Sequence, residues 1–186
     1  GSDLEQVTEI KGGVVLPFWS PDGTRLFTSS MDAITMVIDL DRKRPITEMT
    51  KLPRLGRIGS EQPASWTADG RGVVIATREH DQQMASLFVY DLESGQARLI
   101  TRERFRIDFH YGLPIALDDG RHLMLSDDEG IILIDIENGA RKSLLKNPPG
   151  SKYASPRMAS DRRSIFFVNL EEEADLWMAR RSDPSN

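Results

Sequence analysis

Apolar residues in this chain fall into short runs bounded by Gly, Pro, Asp or Ser, such as MVIDL at 36–40 and FVYDL at 88–92. Runs of this length that are rich in β-branched and aromatic residues are typical of strands. An apolar period of 3.6 residues does not persist through three turns anywhere in the sequence. The pattern therefore predicts an all-β protein with almost no helix.

Four segments align without gaps and define a repeat. They are WSPDGTRLF at 19–27, WTADGRGVV at 66–74, ALDDGRHLM at 116–124 and MASDRRSIF at 158–166, separated by 47, 50 and 42 residues. An aspartate stands at the same place in each, and a glycine follows it in the first three; these residues are Asp22, Gly23, Asp69, Gly70, Asp119, Gly120 and Asp161. A fixed period of this size indicates one supersecondary unit per repeat.

The repeated segment predicts a tight hairpin turn. Proline presets φ for the second turn position, aspartate suits the third, and glycine readily takes the left-handed conformation that closes the turn. Arg162 replaces that glycine in the fourth unit. A non-glycine residue costs about 1 kcal/mol there, so we expect a looser turn in this unit.

Each turn is followed by a second register of apolar runs, at 36–40, 88–92, 132–136 and 176–180. In the first three units another short strand pattern comes next, at 45–49, 96–100 and 140–145. Four strands per unit and a period of this length predict the blades of a β-propeller, as in WD40-like repeats. A β-sandwich with accidental internal similarity is the alternative.

The segment from Trp19 to Leu40 resembles the TolB-like propeller repeat, which has a tryptophan, Ser-Pro-Asp-Gly, an apolar strand, and then an apolar strand that ends in Asp-Leu. The second unit matches this pattern nearly as well, and the third and fourth match more loosely. The resemblance implies a bacterial, periplasmic or extracytoplasmic protein that scaffolds complexes or serves as a sensor domain. It also implies six blades, or seven to eight in propellers similar to those of prolyl-oligopeptidase-like enzymes.

The sequence contains four units, so we expect a single domain at 3–181, with a tag remnant at 1–2. Its blades are predicted near 14–50, 63–101, 113–146 and 153–181, with 4–10 added to the last blade. The EQVTEI segment at 5–10 has an outer-strand pattern and would complete this blade, closing the ring and removing exposed sheet edges. The alternative is a fragment of a six- to eight-bladed propeller. The chain is expected to be a monomer, or a dimer through open blade edges.

Composition excludes several classes of function. The 186 residues carry a net charge of −5, without the basic excess typical of nucleic-acid binding. No apolar run approaches the length of a membrane span, and the absence of cysteine excludes disulfides and thiolate sites. The sequence has no G-x-S-x-G, H-E-x-x-H, phosphate-binding or dinucleotide motif. We therefore expect no catalytic residues and no nucleic-acid partner.

The acidic stretches at 126–130 and 170–175 lack the spacing of a calcium loop. We expect solvated loops there, with calcium as the alternative, and otherwise neither a metal nor a cofactor. The three histidines lie in different units, and His122 directly follows a turn, so we expect it at the surface. The three tryptophans, Trp19, Trp66 and Trp177, fall in strand patterns and are predicted to pack in the blade core.

Charge is divided unevenly between the two kinds of loop at one end of the predicted blades. The crossings from one unit to the next, at 50–63, 101–112 and 146–154, hold eight Lys or Arg against three acids. The loops between the second and third strands hold one Arg against ten acids. Because crossings descend toward the axis, this division predicts a basic mouth inside an acidic rim. The predicted anion-binding residues are Arg54, Arg57, Arg102, Arg104, Arg106, His110, Tyr111, Lys152 and Tyr153.

These observations favour a non-catalytic binding, scaffold or sensor module that recognises a protein, a peptide or a small acidic ligand on its loop face. The alternative is a propeller domain accessory to a prolyl-oligopeptidase-like hydrolase. The suggestive grouping of Asp108, His110 and Tyr111 supports a weaker third possibility, catalysis at the channel mouth.

Overall fold

The computed structural model describes residues 4–10, 13–31, 34–41, 46, 49–55, 61–78, 84–101, 105–106, 112–171 and 174–180. All regular structure in this part of the chain is β, as predicted. The strands form four separate antiparallel sheets in chain order. Each sheet corresponds to one sequence repeat, because strand pairing follows the hairpins that the repeated turns create.

The first two sheets are meanders in which each strand pairs with the next along the chain. The first comprises β1 (Val14–Trp19), β2 (Arg25–Ser30), β3 (Thr35–Asp39) and β4 (Thr50–Lys51). The second comprises β5 (Glu61–Trp66), β6 (Gly72–Arg78), β7 (Met84–Asp91) and β8 (Ala97–Leu99), with β9 (Phe105–Arg106) also paired to β7. Since β8 and β9 pair with successive parts of β7, they share the outer edge of this sheet.

The last two sheets repeat the pattern. The third comprises β10 (Ile115–Ala116), β11 (His122–Ser126), β12 (Gly130–Asp135) and β13 (Arg141–Lys146). The fourth comprises β14 (Lys152–Met158), β15 (Ser164–Leu170) and β16 (Ala174–Arg180), without a fourth strand in the described residues.

The core lies between successive sheets. Phe27 and Val37 of the first sheet pack with Trp66 and Ile75 of the second. The interface between the second and third sheets is the most completely buried, and its cluster includes Val74, Leu87, Leu123, Leu125 and Ile134. Between the third and fourth sheets the described cluster has three buried side chains, those of Met124, Ile131 and Phe167, and partly buried side chains surround them.

The repeated turns have one geometry. The carboxylate of Asp22 accepts a hydrogen bond from the backbone N–H two residues later, at 3.0 Å. Equivalent bonds to the other three turn aspartates measure 3.0, 2.9 and 2.8 Å; these residues are Asp69, Asp119 and Asp161. The glycine positions have φ values of 68–72°. A side chain thus takes over hydrogen bonding that the sharp reversal denies to the backbone. All four turns lie at one end of their sheets, here called the turn end.

The expectation of a looser turn at Arg162 was wrong. Arg162 has a φ of 57°, and its N–H donates to the Ala159 carbonyl at 3.0 Å, as Gly23 N–H does to Ser20 at 2.9 Å. The Asp161 carboxylate accepts hydrogen bonds from the N–H groups of Arg163 and Ser164. These bonds help to hold Arg162 in the left-handed region. Local hydrogen bonding therefore overrides the backbone preference of arginine.

The innermost strands contain bulges that the sequence analysis did not predict. Register shifts occur between Val15 and Phe18, between Pro63 and Ser65, and between Ala154 and Arg157. Leu16 and Ser155, at equivalent positions, both have positive φ. A bulge re-aims the side chains that follow it, and in the fourth sheet the residue that follows is Arg157.

The N-terminal segment was predicted to complete the fourth sheet, but it pairs with the first unit instead. Thr8 forms a parallel bridge with Ile46, and Ile46 N–H donates to the Val7 carbonyl at 2.8 Å. Val7 and Ile10 pack with the buried Ile38 and Ile46 of the first unit. This apolar contact explains the placement. The outer strand of the first unit also differs from its prediction at 45–49, because β4 lies at Thr50–Lys51.

Two burial predictions also need correction. Trp66 is buried, but Trp19 is 64% exposed and so is not a core residue; the side chain of Trp177 lies outside the described residues. Asp127, predicted to lie in a solvated loop, is 4% exposed. Its carboxylate accepts from the N–H groups of Glu129 and Gly130 and pairs with Arg141, so these partners replace water around the buried charge.

Candidate functional site

The predicted basic mouth is only partly described. Arg54 lies in the segment after β4, and Lys152 and Tyr153 begin β14. Arg106 is in β9, on the outer edge of the second sheet, and its side chain lies outside the described set. The remaining predicted residues, Arg57, Arg102, Arg104, His110 and Tyr111, also lie outside the described residues.

The two predicted residues with the most contacts are engaged within the protein. Lys152 Nζ lies 3.4 Å from a carboxylate oxygen of Asp128, so a predicted mouth cation pairs with a predicted rim acid. The Tyr153 ring packs against Phe167, with ring centroids 4.5 Å apart. These contacts fix the start of β14, and the structure does not bring the full predicted set together within the described residues.

A cleft of about 810 Å³ opens between the third and fourth sheets at the turn end, opposite the predicted mouth. We call it the Arg157 cleft. Its walls are mainly apolar and include Ile115, Leu117, Leu133, Leu145, Met158 and Ile165. Its ionisable lining comprises Asp118, Asp119, His122, Lys142, Arg157, Arg162 and Arg163. A volume of this size suits a small ligand or a short peptide end.

The cleft forms where the fourth repeat has Met158 in place of a tryptophan. In the second sheet Trp66 occupies the equivalent position to Met158, and its ring packs edge-on against Phe27 at 6.3 Å. Arg25 of the first sheet extends over that ring. The residue equivalent to Arg25 in the third sheet is His122, whose Nδ1 instead lies 2.7 Å from Asp119 in its own turn. Smaller and withdrawn side chains leave the space open.

Both acids of the cleft are already engaged. Asp118 pairs with Arg162 at 3.1 Å across the interface. Burial by itself would raise the pKa of Asp119, but hydrogen bonds from the Arg121 N–H and from His122 outweigh burial and lower that pKa. The negative charge at the rim is therefore largely committed to contacts within the protein.

Arg157 lacks such a partner. Its Nη1 donates to the Pro156 carbonyl at 2.9 Å, and no carboxylate in the described part of the chain pairs with it. Burial of part of the side chain lowers the pKa of Arg157, although the residue as a whole is exposed. Lys142 and Arg163 likewise form no ion pair with any described residue. The cleft thus combines apolar walls with cationic groups that can accept an anion.

Sequence reasoning missed this site because its residues come from two repeats and from both strands and turns. One signal was available: Pro17, Pro114 and Pro156 stand two residues before the repeated segment in three units. Two of these prolines mark the bulges described above, and a bulge at Pro156 predicts that Arg157 departs from simple alternation.

Several solved structures are similar to this chain. TolB from Acinetobacter baumannii matches with a TM-score of 0.68 at 20% identity, over 91% of this chain and 41% of that one. An oligogalacturonate lyase in complex with manganese matches with a TM-score of 0.67 at 15% identity, over 92% and 49%. Prolyl oligopeptidase B from Galerina marginata matches with a TM-score of 0.61 at 11% identity, over 89% and 25%.

The fold is that of a TolB-like β-propeller. The chain spans about two fifths of the length of the Acinetobacter TolB. No protein-family model and no curated protein sequence matches it significantly. The similar structures include enzymes as well as TolB, so the TolB-like fold alone does not decide between catalysis and binding.

Two kinds of feature are absent from the described segments. They contain no group of three His, Asp or Glu side chains arranged to hold a metal ion. They also contain no helix of the length and apolarity that a membrane crossing requires.

Proposed function

We propose that this propeller is a non-catalytic module that binds an acidic ligand with an apolar body in the Arg157 cleft. The observation that carries the proposal is the Arg157 guanidinium, which lies in an apolar cleft without a carboxylate partner among the described residues. A partly desolvated cation is stabilised when an anion enters beside it. Arginine is well suited to a carboxylate, because its planar fork can donate two parallel hydrogen bonds.

The C-terminal end of an apolar peptide fits this chemistry. Its carboxylate would meet Arg157, with Lys142 and Arg163 at the rim, while its side chains would cover Leu133, Met158 and the other apolar wall residues. Binding would bury apolar surface on both sides, and this burial is the main favourable term for a small ligand in a pocket of this kind. A protein or peptide partner also agrees with the TolB-like fold.

The test is calorimetric titration with N-acetyl-leucyl-phenylalanine as the probe, compared with the same dipeptide as its C-terminal amide. We expect the acid to bind about tenfold more tightly than the amide, because only the acid pairs with Arg157. Arg157→Gln should remove that difference while leaving weak apolar binding to both probes.

Arg71→Gln is the matched control, since Arg71 is an exposed arginine beside the equivalent turn of the second sheet and lies outside the cleft. It should leave both affinities unchanged. Equal binding of acid and amide to the unmodified protein, or no binding of either at millimolar concentration, would overturn the proposal.

The basic loop surface predicted from sequence remains a second candidate site for an acidic partner segment. It consists of Arg54, Arg57, Arg102, Arg104, Arg106, His110, Tyr111, Lys152 and Tyr153. Reversing charge at Arg104 and Arg106 should weaken the binding of an identified acidic partner and reduce the effect of salt on the binding that remains. Unchanged affinity would remove this candidate. A sensor role and an extracytoplasmic location rest on the resemblance to TolB-like repeats and stay predictions.

A propeller accessory to a hydrolase is the alternative function. The match to prolyl oligopeptidase B, in which this chain covers 25% of the longer protein, is compatible with it. The parent gene tests it directly. A downstream domain with a G-x-S-x-G nucleophile elbow would support the hydrolase, whereas an upstream membrane span joined to a kinase or DNA-binding domain would support a sensor.

A further inference from the structure

In each sheet, the face directed toward the next sheet in chain order carries an apolar residue at one recurring position. Phe27, Val74 and Met124 occupy it in the first three sheets, and each is 0% exposed. In the fourth sheet the same position is Phe166, which is 38% exposed, and its ladder partner Met178 is 48% exposed. The equivalent partner of Phe27 is Val37, at 7%. Among the described residues, the fourth sheet thus presents a partner-binding face that no other sheet covers.

The opposite end of the array shows the complementary feature. Trp66 of the second sheet is 5% exposed because Phe27 and Arg25 of the first sheet cover it. Trp19 stands at the same repeat position in the first sheet and is 64% exposed. The first sheet therefore presents the indole that a preceding sheet would cover.

The turns repeat the same contact between neighbours. A Cβ placed on Gly70 would lie 3.6 Å from Pro21 of the preceding sheet, and one placed on Gly120 would lie 4.0 Å from Ala68. Arg162, the equivalent residue of the fourth turn, pairs with Asp118. A Cβ on Gly23, at the first turn, would meet nothing within 4 Å. The position that would face Gly23 from a preceding sheet is equivalent to Ser160, which is exposed.

We propose that these two faces bind each other between copies of the chain. In this arrangement Trp19 of one copy packs on Phe166 and Met178 of a second copy and reproduces the contact of Trp66 with Phe27. One chain carries both halves of a contact that it makes internally, so the contact between copies would continue the interfaces already formed. The contact joins different surfaces of the two copies, so it is heterologous and generates either a closed ring or an open array.

A closed pair of copies would bring the four described sheets of each copy into one ring of eight, within the range of four to about eight blades that propellers adopt. We therefore expect a dimer with two identical contacts. A contact that fails to close would instead give larger assemblies at high concentration. Both outcomes depend on the same pair of residues.

The first experiment measures mass by light scattering from about 1 to about 300 μM, a range suited to contacts of modest area. We expect the mass to rise from 20.9 kDa toward twice that value or beyond. Trp19→Ser and Phe166→Ser should each shift the midpoint at least about tenfold upward. Leu99→Ser is the control, because Leu99 is an exposed apolar residue on β8, away from both faces. A monomer at every concentration would overturn the proposal.

The second experiment uses the absence of cysteine, which lets single cysteines report one contact each. T24C and S160C lie beside the expected turn contact and leave both apolar faces intact. A short bis-maleimide should join T24C to S160C in a mixture of the two variants, and should join neither variant to itself. T24C coupled to T24C would contradict a head-to-tail contact. Coupling within one chain of the double variant T24C/S160C at high dilution would show that the chain closes on itself, and that result would also overturn the proposal.

Discussion

The guanidinium of Arg25 lies 4.8 Å from the centre of the Trp66 ring, across the interface between the first and second sheets. The indole Nε1 of Trp66 donates to the Phe18 carbonyl at 2.9 Å. Arg25 also crosses the interface through Nη2, which donates to the Gly70 carbonyl at 2.8 Å. One tryptophan thus links an apolar contact, a cation–π contact and a hydrogen bond between sheets. Interfaces between sheets hold the array together, because no strand ladder joins one described sheet to another.

Trp66→Phe should lower the free energy of unfolding by about 1–3 kcal/mol, because it removes the bond to Phe18 and leaves part of a buried ring volume empty. Trp19→Phe makes the same chemical change at the equivalent exposed position and should change stability by less than about 0.5 kcal/mol. Urea unfolding at concentrations where the chain is monomeric measures both. Equal effects would show that the repeat position, and not its burial, determines the loss.

Gly139→Ala should destabilise more than Gly23→Ala, although the two glycines have φ values of 74° and 72°. Both changes place a side chain in the left-handed region, at about 1 kcal/mol. At Gly139 the added Cβ would also lie 2.5 Å from the Ile100 carbonyl oxygen of the second unit, whereas at Gly23 it meets nothing. We expect a further loss of about 1–3 kcal/mol at Gly139 by thermal or urea unfolding. Similar losses would mean that the contact relaxes freely.

Arg162→Gly should be more stable than Arg162→Ala by about 1 kcal/mol. Both substitutions remove the ion pair with Asp118, so the comparison isolates the backbone at φ 57°. Chemical denaturation of the two variants provides the measurement. Greater stability of the alanine variant would indicate that the fourth turn leaves the left-handed conformation in solution.

Acid should weaken the fold through the turn aspartates. A hydrogen bond from the Ser20 hydroxyl, followed by bonds from Thr24, lowers the pKa of Asp22 from 3.8 to about 2. Because the folded pKa is below the unfolded one, the stabilisation is present above about pH 4 and is lost as the pH falls toward 2. Asp22→Asn should therefore show a smaller drop in the free energy of unfolding between these values.

Asp41→Asn is the control for this measurement. The Asp41 side chain is exposed, and its carboxylate accepts no hydrogen bond from the described residues. The variant should keep the acid sensitivity of the unmodified protein. A full acid transition in Asp22→Asn would assign the effect to other carboxylates, such as Asp69, Asp91 or Asp135, whose pKa values are also lowered.

The repeats made the architecture predictable. Aspartate and glycine at fixed offsets encode the turns through bonds within about five residues, and the apolar runs after them encode strands. For that reason the sheets follow the repeats closely. The N-terminal segment was assigned to the wrong sheet because its outer-strand pattern suits any open edge, and only its packing on Ile38 and Ile46 distinguishes the first unit from the fourth.

The sequence by itself determined the all-β fold, the four repeats and the turn chemistry, since these depend on residues close together in the chain. The tertiary structure decided which equivalent positions are covered. Trp19 and Trp66 have the same local pattern, yet one is exposed and one is buried, because burial depends on whether a sheet stands in front of it. The Arg157 cleft likewise depends on the side chains that two sheets bring to one interface. A repeat pattern encodes the elements of this protein, whereas its sites arise where neighbouring elements differ.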